Sequence, residues 1–95
     1  MSQSQSINRP SEPVGNLETE NRHGQPVSVK ISGRPARPSR VDVEIDGGRR
    51  WVFAVNDTIA TLVLLLNENG QRIDPVLPPW VEPLVRQVGL EGVEE

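Results

Sequence analysis

The chain contains no cysteine and no tyrosine, and its aromatic side chains amount to one phenylalanine and two tryptophans. Without cysteine there are no disulfides, no thiolate nucleophiles and no zinc sites of the cysteine type, and a lone histidine, His23, cannot build a histidine metal centre. No stretch approaches the run of about eighteen apolar residues that a membrane helix requires. The start, MSQSQSINRPSEP, lacks a charged segment followed by an apolar core, so the expectation is a soluble, cytoplasmic protein with no membrane partner. Glycine-rich phosphate loops, dinucleotide fingerprints and nucleophile elbows are also missing, which excludes the commonest catalytic frameworks. The reading is a non-enzyme with no cofactor, no metal and no small-molecule substrate. Asp42, Glu44 and Asp46 share one strand face, but no glycine-bounded calcium loop accompanies them, and they read as a solvated surface.

What is present is polar and divided. Hydrophobic residues make up 35% of the 95 positions, beside nine prolines and eight glycines, which leaves room for one small domain with a modest core. Residues 1–40 carry six basic and three acidic side chains, whereas residues 41–95 carry four basic and ten acidic, so a basic arm precedes an acidic body. From 1 to 25 the sizeable apolar residues are Met1, Ile7, Val14 and Leu17, too few to offset chain entropy, and this segment is expected to be a disordered tail. The domain is expected over 26–90, with 91–95 frayed.

Within it, Val27, Val29 and Ile31 alternate with Ser28, Lys30 and Ser32, which predicts a strand. Gly33 to Arg40, with two prolines, reads as an extended basic loop. Val41, Val43 and Ile45 then alternate with acids, and Gly47-Gly48 separates them from Trp51, Phe53 and Val55, the pattern of a hairpin. Asn56 or Asp57 has the chemistry of a helix cap, Gly70 that of a helix stop, and Ile59, Leu62, Val63 and Leu66 fall on one helical face, which predicts a helix over 57–69. Trp80, Val81, Leu84, Val85 and Val88 form a second amphipathic stripe, closed by Gly89-Leu90. The expected fold class is α+β: a small antiparallel sheet, made of the hairpin and one N-terminal strand, packed by two helices.

The hairpin followed by a helix opening Asn56-Asp57-Thr58-Ile59, from Val41 to Pro75, resembles the first half of a ubiquitin-like β-grasp domain. The resemblance covers some thirty-five residues, without that family's later strands or a Gly-Gly tail. It implies a binding surface on the sheet and no active site.

Two functional expectations follow. In the first, the chain is a protein-binding module (an adaptor, inhibitor or assembly factor) that meets another protein, or a second copy of itself as a dimer, through surplus apolar surface at Leu64, Leu65, Trp80, Leu84 and Val88. In the second, it is a nucleic-acid-associated accessory protein that contacts phosphate through Arg34, Arg37 and Arg40. Gly33-Arg34-Pro35 is similar to the core of the AT-hook, with Ser32 where that motif carries its first arginine. Pro35 to Arg40 also fits the PxxPxR pattern read by SH3-type domains.

Overall fold

A computed structural model describes residues 13–34 and 37–95. Its described residues form one seven-stranded sheet and a single short helix. Six strands follow one another as an antiparallel meander: β1 (Pro13–Glu20), β2 (Pro26–Arg34), β3 (Arg37–Ile45), β4 (Arg50–Asn56), β5 (Ile59–Leu66) and β6 (Arg72–Ile73). The helix α1 (Val81–Gln87) then leads into β7 (Gly92–Glu94). The outer edge of β5 is shared, with β6 antiparallel at Leu65–Leu66 and β7 parallel at Ile59–Thr61.

Alternation sends one set of side chains to a common core. Across the sheet, Val29, Val43, Trp51 and Leu65 stand in one row, and Ile31, Val41, Phe53 and Leu62 in the next. All eight are buried, and Val81, Leu84 and Val85 of α1 pack over them. The opposite face carries Ser28, Glu44 and Arg50 in one row and Lys30, Asp42, Val52 and Leu64 in another; among these Val52 is buried and the rest are open to solvent to some degree.

The α+β expectation is overturned, because the segment read as the first helix is β5. Its buried residues are Ala60, Leu62 and Leu65. Val52 pairs Leu64 and Phe53 pairs Leu62, so Val63 is an extra, exposed residue at a β-bulge. That bulge turns a spacing of two into a spacing of three and imitates helical periodicity. The supposed cap is a hairpin turn, in which Asp57 takes φ 59° between the paired Asn56 and Ile59. With β5 rather than a helix directly after the β3–β4 hairpin, the β-grasp resemblance fails too.

Three other segments differ from expectation. Residues 13–25 of the expected tail supply β1 and a closed turn, while residues 1–12 lie outside the described residues. β1 pairs with β2 from Gly15↔Ile31 to Glu20↔Pro26, and among its described side chains Leu17 packs against the core. The expected basic loop is the end of a hairpin, in which Gly33 pairs Pro38 and Arg34 pairs Arg37. Pro38 is tolerated because the register shifts there and pairing of β3 with β4 begins only at Arg40. Finally, the expected frayed end contains β7, with the Val93 amide donating to Glu82 Oε2 at 3.3 Å.

The C-terminal helix and its glycine stop are as the sequence predicts. Gly89 has φ 104°, its amide donates to Arg86 O at 3.0 Å, and the Leu90 amide donates to Val85 O at 3.4 Å. This is a Schellman closure, with Val85 and Leu90 both buried.

Candidate functional site: the β1 edge and its cleft

β1 pairs with β2 on one side and, among the described residues, with no strand on the other. An edge of this kind presents backbone donors and acceptors to any strand that comes alongside. Next to it opens a cleft of about 710 Å³. Leu17 and Ile31 line it from the sheet, Pro38 from β3, Val88 and Leu90 from the end of α1, and Asp57 from the β4–β5 turn.

Local chemistry builds each wall. Gly15 is required beside the cleft because a Cβ there would stand 2.7 Å from Ile31 Cγ2. Gly89 reverses the chain so that Leu90 returns to the core. The Glu91 amide then donates to Thr58 O at 2.8 Å, which ties the end of α1 to the β4–β5 turn. On the other face of β1, Asn16, Glu18 and Glu20 are exposed. Glu18 accepts from the Ser28 hydroxyl at 3.0 Å.

The five apolar residues expected to form an interface do not share a surface. Leu65 is fully buried and Leu84 is 6% exposed, both within the core. Trp80 is half-buried and meets Trp51 edge to face, with ring centroids 5.3 Å apart. Leu64 lies on the open face opposite Val52. Of the five, Val88 alone lines the cleft. The apolar side of α1 faces the sheet, so the expected helical binding face is spent inside the fold.

The three arginines also separate. Arg34 and Arg37 are exposed and directly opposed at the end of the β2–β3 hairpin. Arg40 instead makes a bidentate pair with Asp42, at 2.6 and 2.9 Å. The hydrogen bond and charge of Asp42 raise the Arg40 pKa above its ordinary value, so Arg40 stays charged and paired until strong alkali. Arg50 stands 4.0 Å from Asp42 and 3.4 Å from Glu44. These carboxylates thus face cations, and no group of three His, Cys, Asp or Glu among the described residues is placed to hold a metal ion. His23 sits exposed in the β1–β2 turn, where its amide donates to Asn21 Oδ1.

One repeated signal in the sequence marks β1 as a strand. Asn21-Arg22-His23-Gly24-Gln25 and Asn67-Glu68-Asn69-Gly70-Gln71 share the pattern Asn-x-x-Gly-Gln and make the same bonds. In each, the asparagine Oδ1 accepts the amides two and four residues on, and the glycine has positive φ. These are hairpin turns, and the first makes its upstream neighbour a strand.

Among the described residues, a six-stranded antiparallel meander with a seventh strand parallel to β5, one helix on its core face and a first strand paired on one side only defines the class of this protein. No family model, curated protein or solved structure matches the chain.

Proposed function

We propose that the chain is a small, non-catalytic, cytoplasmic protein-binding module that takes an extended segment of a partner alongside β1. The observation that carries this reading is the outer side of β1, unpaired among the described residues, beside a cleft whose lining includes the apolar side chains of Leu17, Ile31, Val88 and Leu90. Main-chain bonds to the edge would hold the segment, and its alternate side chains would enter the cleft between Leu17 and Val88. No helix of the described residues is long and apolar enough to cross a membrane.

Selection from a random peptide library on the full chain tests the proposal. Recovered peptides are expected to alternate in hydrophobicity, to shift the amide resonances of Gly15–Glu20, and to lose binding on Leu17→Arg or Val88→Arg. Peptides that footprint elsewhere would overturn it.

A second reading, phosphate contact by a nucleic-acid accessory protein, is favoured by one observation. Arg34 and Arg37 are directly opposed, an arrangement that costs stability unless an anion lies between them. Because Arg40 is held by Asp42, the salt slope of duplex binding is expected to reflect about two charges rather than three. It should vanish in the Arg34→Gln, Arg37→Gln double variant. A slope that survives the double variant excludes this hairpin as the contact.

A further inference from the structure

We infer that the strand received at β1 is basic on its solvent side and apolar on its cleft side, an inference that rests on the reading of β1 as a strand-addition edge. Alternation fixes the two sides. Residues of β1 directed to the core face include Leu17, beside Ile31, Val88 and Leu90, so every second residue of an incoming strand turns toward these apolar side chains, with Asp57, Thr58 and Gln87 forming the polar part of the same cleft. The intervening residues of that strand lie beside Asn16, Glu18 and Glu20 on the open face. Opposite charges on adjacent strands stabilise pairing and like charges oppose it, so this row selects arginine or lysine.

Lys30 faces Asn16 across β1–β2 and Asp42 across β2–β3, on the side of β1 away from an incoming strand. Glu18 and Glu20 disfavour a second copy, because antiparallel pairing of two β1 strands about Glu18 or Thr19 would set glutamate directly opposite glutamate.

The experiment titrates three synthetic octapeptides, alternating Arg/Val, Gln/Val and Glu/Val, into the isotopically labelled full chain and follows its amide resonances. Arg/Val is expected to bind with shifts confined to Gly15–Glu20 and Gln87–Leu90, and more weakly as salt rises. A Glu18→Gln, Glu20→Gln double variant with unchanged melting should bind it about fivefold less tightly. Equal or tighter binding of Gln/Val or Glu/Val at β1 would overturn the assignment of charge while leaving strand addition intact. If no peptide perturbs β1, strand addition itself falls. Broadening of the β1 resonances with protein concentration, without peptide, would make the occupant a second copy and overturn the basic partner.

Discussion

Leu64 and Leu65 are neighbours in sequence and belong to different environments. Leu65 is fully buried beneath α1, whereas Leu64 is half-buried on the open face. Leu65→Lys forces an unpaired ammonium into the core and is expected to cost more than about 4 kcal/mol, enough to unfold a domain of this size. Leu64→Lys can extend its amine to water and should cost no more than about 1 kcal/mol. Chemical denaturation of the two variants checks the assignment of faces, and equal losses would contradict it. Trp51 offers a second test at this scale. Its indole Nε1–H donates to Val76 O at 2.7 Å, and its ring meets Trp80 edge to face. Trp51→Phe removes the donor and reshapes that contact, so a loss of about 2 kcal/mol is expected, with the remaining emission coming from Trp80.

At the scale of elements, the turns set the register. The loops Asn21–Gln25, Ile45–Arg49 and Asn67–Gln71 each close with the first residue's amide donating to the fifth residue's carbonyl, at 2.8 to 3.0 Å. In two of them the asparagine side chain binds two further amides. Asn21→Ala and Asn67→Ala are each expected to cost about 1 kcal/mol, read as a shift in denaturation midpoint at constant slope. Gly24→Ala and Gly70→Ala force a Cβ into positive φ and should cost about 1 kcal/mol as well, although nothing lies within 4 Å of either Cβ position. A Gly70→Ala variant as stable as the parent would show that the turn adopts another geometry in solution. The alternations of β2 and β3 were legible because each has one buried face, and β4, with Trp51, Val52 and Phe53 all buried, was legible from its place after the Gly47-Gly48 turn. In β5 the bulge at Val63 broke that period, and in β1 the burial comes mainly from its partner.

For the whole molecule, the sheet depends on what covers its core face. Val81, Leu84, Val85 and Leu90 all come from the last sixteen residues and are at most 6% exposed. A chain ending at Pro79 would leave Phe53, Leu62 and Leu65 facing water on one side of a single-layer sheet. It is expected to lose its cooperative thermal transition and to bind a hydrophobic dye, whereas retention of a sharp transition would mean that the sheet closes on itself. β7 adds to this dependence, since it pairs in parallel with β5 and its Val93 amide is held by Glu82 of α1.

Local patterns alone determined the β3–β4 hairpin, the strand at Val27–Ile31, and the helix at Val81 with its Gly89 stop, because each is specified by neighbours within one turn or one alternation. The candidate edge is half legible in the sequence: Val88 lies on an amphipathic stripe, whereas Leu17 is an isolated apolar residue in a polar segment. Tertiary structure decided the rest. Asn56-Asp57 fits a cap and a turn equally well, so only pairing of β5 with β4 resolves it. Whether an apolar side chain is core or interface depends on which face its element turns inward, and Leu65 and Leu84 were claimed by the core. Arg40 was claimed by Asp42, two residues along the same strand, once extended geometry placed both side chains on one face.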